Sequence, residues 1–387
     1  MGLFSDDRVN MDVLRKRAFN YRWAVTDPDV IPLTAADPDF PVAKEILEEI
    51  RHFTGEGYFS YGSPEGNAEF KEAIAQWYSV NYNSTVKSQF ILPVNSAAHG
   101  LFIAASSVLS AGDSAIIPDP VDFLFRKSVE AAGAEVITCK VDKSTAELSI
   151  EHLEQLIRKD TRAILICNPN NPLGKKYTKS YLSDLIAFAL KHDLWIISDE
   201  IWADITFEGP VTSLFDASFD YFKKKMVVSG LSKNFGLAGL RIGYILCPSD
   251  EVFMDVLEAS GHKTTAFGIP ILSQAAGTAA LKNASYWLDE FKVHLTQMKK
   301  LVHLFMEEHP LLINCSFDST YLAFPKLSEG VSSEEFVKST LDSARVALVP
   351  GGVQWFESAS EGHIRICFAT SEKILNEAFS RMLEVAK

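Results

Sequence analysis

The segment around Lys233 has the residue types and the spacing that imine chemistry requires. Lys233 follows an apolar run, Met226–Val228, in the sequence SGLSKNFGLAGLRIGY, and Arg241 stands eight residues later. A lysine that is buried near other cations is held in its neutral, nucleophilic form and can condense with a carbonyl group. An arginine at a fixed distance can bind a phosphate. Since most lysines are surface residues, the segment alone favours an ordinary exposed lysine beside a glycine-rich turn.

Further polar clusters follow apolar runs that we predict to be strands. They are Asn168–Gly174 (NPNNPLG) after Ala163–Cys167, Asp199-Glu200 after Leu194–Ser198, and Asn95–Leu101 (NSAAHGL) after Phe90–Val94. The last cluster opens a predicted helix, whose N–H groups and dipole can bind an anion. Each cluster has an ordinary alternative, since NPNNP can be a turn and Asp199 a helix cap. Chance is a poor explanation for so many polar clusters at strand ends. The ends of the strands are where open parallel sheets bind their ligands.

The elements that must position these residues alternate between apolar runs and helical segments. This alternation predicts an α/β fold, with a mainly parallel sheet sandwiched by helices. The predicted strands are Ser114–Ile117, Glu135–Thr138, Ala163–Cys167, Leu194–Ser198, Met226–Ser229 and Ile242–Leu246, and the helices between them include Phe123–Ala132, Ile150–Lys159 and Lys179–His192.

A change of pattern near Tyr286 predicts a second, smaller α+β domain. Its predicted elements are a long helix Tyr286–Glu308, strands Tyr321–Phe324, Val346–Val349 and His363–Phe368, and a closing helix Glu372–Ala386. We therefore predict a large ligand-binding domain over residues 45–285 and a small domain formed by residues 1–44 with 286–387.

Composition narrows the classes of partner. The 387 residues carry a net charge of −13, which argues against nucleic acid because phosphate backbones need a basic face. The five cysteines show no metal-type or redox-type spacing. The N-terminus lacks a signal-peptide or myristoylation pattern, and the apolar stretch Leu101–Leu109 is too short to span a bilayer. We expect no membrane partner and a cytoplasmic protein.

The order of these elements resembles the pyridoxal-phosphate-dependent aminotransferases of fold type I, class I/II, over nearly the whole chain. The resemblance implies that Lys233 carries pyridoxal 5'-phosphate as an imine. It also implies that Asp199 pairs with the protonated pyridine nitrogen, which keeps the ring an electron acceptor. The other implied cofactor contacts are Ser96, Ala97, Ala98 and Arg241 at the phosphate, Asn171 at the phenolic oxygen, and Tyr61, which reaches the cofactor of the neighbouring subunit in a homodimer.

Arg365, in HIRICFA, matches the arginine that takes the substrate α-carboxylate in this family. Its planar fork would hold an amino acid by two hydrogen bonds, and the resemblance places Ala36 and Asn171 beside it. The ordinary alternative is a strand arginine with its head in solvent. The segment from Glu251 to Lys300 contains no arginine that could bind a second carboxylate, and the weak substitutes are Lys263, Arg15, Arg17 and Arg22.

Two departures from the family pattern concern hydrogen bonds to the cofactor. Trp202, in DEIW, stands where many relatives have a tyrosine hydroxyl, and an indole N–H can donate but cannot accept or ionise. Gly230 stands where a phosphate-binding serine is frequent, so Ser229 or Ser232 must compensate.

A third departure concerns the face of the cofactor ring. Asp122, in DPVDFLF, falls where an aromatic residue usually stacks on the pyridine. We expect Phe123 or Phe125 to stack instead. His99 has the type of an acid–base group, but we interpret it as a packing residue.

Several reactions begin with loss of the substrate α-proton, for which the freed Lys233 is the expected base. We favour transamination between an α-amino acid and a 2-oxo acid. The alternative is a C–S β-lyase, because NYRW near Asn20, AADPDF near Ala36, WLDEFK near Trp287 and STYLAF near Ser319 resemble the bacterial cystathionine β-lyase branch. A non-catalytic, cofactor-binding regulatory domain is a further alternative, although the lysine is present and no helix-turn-helix segment is visible.

Overall fold

The structure, a computed structural model, describes residues 2–386. Met1 and Lys387, which belong to the predicted small domain, lie outside the described residues. Strands β1 to β14 are Ile31–Pro32, Ile91–Val94, Ser114–Asp119, Glu135–Lys140, Thr161–Cys167, Trp195–Asp199, Lys225–Gly230, Gly243–Leu246, Leu312–Ile313, Leu322–Ala323, Lys326–Leu327, Val346–Ala347, Val349–Pro350 and Ile364–Cys367. Helices α1 to α13 are Met11–Arg17, Lys44–Gly55, Ala68–Tyr82, Ala97–Ser106, Leu124–Ala131, Ile150–Leu156, Lys179–Lys191, Asp250–Ala259, Ile271–Asn283, Ser285–Glu308, Ser333–Ser339, Val353–Phe356 and Glu372–Val385.

A seven-stranded sheet in the order β2-β8-β7-β6-β5-β3-β4 forms the centre of the molecule. Strands β3 to β7 pair in parallel, and most of their residues are buried. Burial on both faces explains why these strands read as continuous apolar runs. The predicted fold class, a mainly parallel sheet sandwiched by helices, is confirmed.

Strand β8 is antiparallel to both of its neighbours, which the sequence did not predict. The chain between Gly230 and Gly243 contains only a short 3₁₀ turn, Ala238–Leu240, so it has no helix to carry a parallel crossover. Strand β8 therefore starts at the edge where β2 and β7 end, with Gly243 paired to both Val94 and Gly230. This reversal brings Arg241 to the same edge as Lys233.

Short strands and two long helices form the second region. Strand β14 pairs antiparallel with β10 and β13, while β1 from the N-terminal segment pairs in parallel with β12. Helices α10 and α13 pack together through Phe305 and Phe379, whose rings stack 4.0 Å apart. Strand β1 thus joins the N-terminal segment to this region, and the division into two domains with boundaries at 45 and 285 stays a prediction. Among residues 2–386, no helix combines the length and the apolar character needed to cross a bilayer.

Candidate functional site

One cavity of about 400 Å³ opens at the carboxyl edge of the central sheet, next to strands β13 and β14. Most of the site residues predicted from the sequence line it. They are Ala36, Ser96, Ala97, Ala98, Phe123, Asn171, Asp199, Trp202, Ser232, Lys233, Arg241 and Arg365. Because the loops after β2, β5, β6 and β7 all leave the sheet at this edge, Ser96 and Lys233, which are 137 positions apart, meet here.

Lys233 projects into the cavity from the loop after β7. Its Nζ donates a hydrogen bond of 2.6 Å to the carbonyl of Ala36 and lies 5.5 Å from the ring centre of Trp202. No carboxylate among residues 2–386 forms an ion pair with it within 4.0 Å. Burial lowers the pKa of Lys233, while the charge of Asp37 opposes that shift. The amine is therefore shifted toward the neutral form that attacks carbonyl carbons.

Asp199 and Glu200, adjacent at the end of β6, have different surroundings. The Glu200 carboxylate accepts hydrogen bonds from Ser198, Ser213 and the N–H of Leu214. These bonds within the fold occupy the carboxylate, so we do not expect it to bind a ligand. Asp199 Oδ1 accepts one bond, 3.0 Å long, from the N–H of Ile201, and Oδ2 has no hydrogen-bond partner among residues 2–386. Burial raises the pKa of Asp199 to about 7. A cation in the cavity would therefore find in Asp199 a carboxylate that lacks a counterion.

The N-terminus of helix α4 provides donors for an anion. Ser96 caps the helix by accepting a 3.1 Å hydrogen bond from the N–H of His99. Gly243 permits the close approach of this turn to the sheet, because a Cβ there would lie 2.6 Å from the carbonyl carbon of Ser96. Arg241 lines the same cavity, and no ion pair holds it within the described chain. Backbone N–H groups, a helix dipole and an arginine together form a phosphate-binding arrangement.

Arg365 on β14 lines the cavity and is buried. Its Nη1 donates to Oδ1 of Asn171 and its Nη2 to the carbonyl of Thr34, both at 3.2 Å. Its Nε has no hydrogen-bond partner among residues 2–386. A buried guanidinium with an unsatisfied N–H is expected to bind a planar anion such as a carboxylate.

Asp122, considered in the sequence only as a departure, lies within this group. Its Oδ2 accepts a 2.9 Å hydrogen bond from Nδ2 of Asn171, and its Oδ1 accepts a 3.1 Å bond from the N–H of Leu124. Asn171 therefore bridges Arg365 and Asp122. Burial raises the pKa of Asp122, while the charge of Arg365 opposes that shift.

Two of the predicted site residues lie outside the cavity. Ser229 is buried, and its hydroxyl donates to the carbonyl of Glu200, so it is not available to a phosphate. Of Ser229 and Ser232, the one that lines the cavity is Ser232. Tyr61 is 89% exposed and packs against Phe267, turned away from the cavity of its own chain. Its predicted contact with the cofactor of a neighbouring subunit stays a prediction.

Sequence reasoning missed the aromatic side of the cavity. Tyr21 and Trp355 line it, and their rings meet edge to face at 5.8 Å. The Trp355 segment is fixed to the loop after β3, because the N–H of Phe123 donates to the Trp355 carbonyl at 3.0 Å. Next to it, Arg126 binds Glu357 through two bonds of 2.7 Å. A single tryptophan after two glycines gives no periodic signal that could have revealed this wall.

Comparison with known proteins agrees with this geometry. Residues 28–382 match the family model described as aminotransferase class I and II. The aspartate aminotransferase of Thermotoga maritima is 31% identical over 360 residues, which cover 92% of this chain and 90% of that protein.

Solved structures give the same result. An aromatic aminotransferase from Pyrococcus horikoshii superposes with a TM-score of 0.85 at 27% identity, covering 93% of this chain and 96% of that one. A PLP-bound protein from Clostridium difficile superposes with a TM-score of 0.88 at 25% identity, covering 96% and 98%.

Pyridoxal phosphate fits the residues that line the cavity. An uncompensated lysine, Lys233, suits its aldehyde, and the helix terminus with Arg241 suits its phosphate. Asp199, a carboxylate without a counterion, suits its protonated ring nitrogen. The unsatisfied Nε of Arg365 remains for a second anion, as expected if an amino acid binds beside the cofactor.

Proposed function

We propose which residues of this chain carry out each part of transamination. The chain belongs to the class I and II aminotransferases and is a pyridoxal-phosphate-dependent enzyme. Lys233 is the lysine to which the cofactor attaches. Asp199 holds the proton on the ring nitrogen, and Ser96, Ala97, Ala98, Ser232 and Arg241 bind the phosphate. Arg365, with Asn171 and Ala36, binds the substrate.

The observation that carries this assignment is the state of Lys233. Its amine lies in the cavity with only a carbonyl oxygen as hydrogen-bond partner, at 2.6 Å, and burial lowers its pKa. A lysine kept for stability would normally be paired with a carboxylate when buried. Its hydrogen-bond partner, the carbonyl of Ala36, and the nearby Trp202 ring both belong to the proposed substrate and cofactor contacts.

Bound pyridoxal phosphate supplies an aldehyde carbon for amines and a ring that accepts the electron pair released at the substrate Cα. The chain supplies position and proton transfer. Arg365 binds the α-carboxylate and thereby fixes the orientation of the Cα–H bond. The Nζ of Lys233, when released from the cofactor, would take the proton from the substrate Cα and return it to the carbon that was the aldehyde carbon of the cofactor. Trp202 covers the lysine, with its indole ring 5.5 Å from Nζ.

The side chain of the substrate is left open by the relatives, since one is an aspartate and another an aromatic aminotransferase. A homodimer with shared sites is part of the proposal, because Tyr61 is exposed and turned outward. The cytoplasmic location stays a prediction. The family match favours transamination over the β-lyase and over a non-catalytic domain.

Borohydride reduction of the holoenzyme, followed by peptide mapping, tests the assignment. We expect the pyridoxyl group on Lys233. Lys225 is a matched internal control, since burial lowers its pKa to about 8 but its Nζ is bonded to the carbonyls of Leu214 and Phe219 outside the cavity. A label on Lys225, or on any lysine other than Lys233, would contradict the assignment.

The reaction is tested on the same preparation. An amino acid alone should convert the cofactor to its pyridoxamine form in a single turnover, and a 2-oxo acid should return it. Sustained release of pyruvate and thiol from cystathionine, without any oxo acid, would assign the protein to the β-lyases instead.

A further inference from the structure

Under the proposed function, each basic side chain that lines the cavity already binds the cofactor or the substrate α-carboxylate. Among the residues 2–386 that line it, the basic side chains are Lys233, Arg241 and Arg365. The first is assigned to the cofactor aldehyde, the second to its phosphate and the third to the substrate α-carboxylate. A second substrate carboxylate would therefore find no unassigned cation of this chain in the cavity, and burying an unpaired charge is strongly unfavourable.

The other basic residues that could have served are engaged elsewhere. Arg22 forms a buried ion pair with Asp39. Lys263 pairs with Glu65 at 3.1 Å.

The remaining two candidates lie in helix α1. Arg15 donates to a row of backbone carbonyls, including that of Trp23 at 3.1 Å. Arg17 is exposed and does not line the cavity. None of the four candidates lines the cavity of its own chain.

The wall beyond the cations is aromatic. Tyr21, Phe123 and Trp355 line it, and Trp355 meets Phe123 edge to face at 6.0 Å and Tyr21 at 5.8 Å. The main-chain bond from Phe123 to Trp355 and the Arg126–Glu357 pair hold this wall in place. An aromatic substrate ring gains buried area and edge-to-face contacts on such a surface.

Asp122 adds a negative charge at the same place. It precedes Phe123, and only the amide of Asn171 separates it from Arg365. Both of its oxygens accept N–H bonds, which is the pattern of an ionised carboxylate. A carboxylate on a substrate side chain would meet this charge, whereas an uncharged ring would not.

We propose, on the basis of the proposed function, that the site takes α-amino acids with uncharged aromatic side chains and that Asp122 is the residue which rejects a second carboxylate. Asp122 acts on the substrate side chain and not on the reacting atoms, so it is a specificity-determining residue. The aromatic wall supplies the attraction and Asp122 the repulsion, and selectivity needs both.

Steady-state kinetics of the holoenzyme with one fixed 2-oxo acid provide the first test. We expect kcat/KM for phenylalanine, tyrosine or tryptophan to exceed that for aspartate and glutamate by roughly tenfold or more, since like charges brought together cost several kcal/mol. A preference for aspartate, or for arginine or lysine, would overturn the inference alone. Failure of every amino acid to convert the cofactor would instead overturn the proposed function.

Variants separate a specificity role from a structural one. Asp122→Asn should raise the ratio of kcat/KM for aspartate to kcat/KM for phenylalanine by about three- to tenfold. Glu130→Gln, the same change of charge on helix α5 outside the cavity, should leave the ratio unchanged. Equal losses for both substrates in Asp122→Asn, with normal cofactor absorption, would mean that Asp122 only supports the site.

The aromatic wall is tested independently of Asp122. Trp355→Leu should lower kcat/KM for phenylalanine by about tenfold and that for alanine much less, because only the ring loses contact area. The Trp355→Leu variant still tests the role of the aromatic wall if Asp122→Asn fails to fold. A uniform loss for phenylalanine and alanine would overturn the assignment of the wall to the substrate.

Discussion

At the scale of single residues, Asp199 shows how its surroundings leave one of two adjacent acids able to interact with a ligand. Glu200 has three hydrogen-bond donors of the fold, whereas Asp199 has the N–H of Ile201 alone. The cofactor-free protein therefore holds a buried carboxylate without a counterion. Such a site is stabilised when a cation binds and weakened when the carboxylate ionises alone.

The cofactor-free protein should accordingly lose stability as the pH rises. Burial raises the pKa of Asp199 from 3.8 to about 7, so the folded state binds this proton more tightly than the unfolded chain. Its contribution is fully present below pH 4 and is lost between about pH 4 and pH 7, by up to about 4 kcal/mol. Asp199→Asn cannot ionise and should escape this loss.

Urea unfolding of both proteins from pH 4 to pH 8 measures the effect as a difference. The free energy of unfolding of Asp199→Asn relative to wild type should rise over this range in the cofactor-free proteins. Bound pyridoxal phosphate should remove or reverse the trend, because the ring nitrogen then pairs with the wild-type carboxylate. A difference that does not change with pH would show that Asp199 is not perturbed.

Arg365 supports a second prediction at this scale. Arg365→Ala leaves the substrate carboxylate without a partner in a buried site, and loss of such a pair costs about 2–5 kcal/mol. We expect kcat/KM for amino acids to fall well over tenfold, with cofactor absorption unchanged because Arg241, the proposed phosphate contact, is retained. Simple amines, which lack the carboxylate, serve as the control. An equal loss of kcat/KM for amines would show that Arg365 supports the fold and does not bind the substrate.

At the scale of elements, the reversed strand β8 makes the cofactor site possible. Gly243 starts β8 between the ends of β2 and β7, and a side chain there would collide with Ser96 and Ala97, 2.6 and 2.7 Å from the added Cβ. The glycine is needed for this close approach and not for its flexibility. The N-terminus of α4 keeps its place only while this position stays small.

Gly243→Ala should therefore displace the phosphate-binding turn and weaken cofactor affinity by roughly tenfold or more, since several backbone N–H contacts depend on its position. Gly239→Ala is the matched control, because nothing lies within 4 Å of a Cβ added there. Cofactor titration followed by absorbance measures both. Equal affinities in the two variants would show that the turn can shift without loss.

These elements also show what a single sequence can and cannot predict. Strands such as β5 were predicted because residues buried on both faces form unbroken apolar runs. The direction of β8 was not predictable, since a buried antiparallel strand is equally apolar. The sequence singled out Lys233 and Arg365 by type and context. It did not reveal that Asn171 joins Arg365 to Asp122, because these contacts span 194 and 49 residues.

At the scale of the whole molecule, the outward position of Tyr61 points to assembly. Its side chain is 89% exposed and lies against Phe267, and the loops that carry them are joined where His262 meets the Pro64 carbonyl at 3.1 Å. A tyrosine held on a fixed loop outside its own cavity can complete the site of a second copy. A twofold dimer would then contain two sites, each built from both chains.

Mixing inactive variants tests this arrangement. Lys233→Ala and Tyr61→Ala place their defects in different sites only if Tyr61 serves the partner's cofactor. After random exchange of subunits, half of the dimers are hybrids with one site intact, so activity should return to about a quarter of the wild-type level. Lys233→Ala mixed with Asp199→Ala is the control, because both residues belong to the cavity of their own chain and no intact site can form. Recovery in the control, absence of recovery with Tyr61→Ala, or full activity of a monomer at assay concentration would each contradict shared sites. Recovery confined to the Tyr61 mixture would place Tyr61 at the partner's cofactor, because no other arrangement rebuilds a complete site from these two chains.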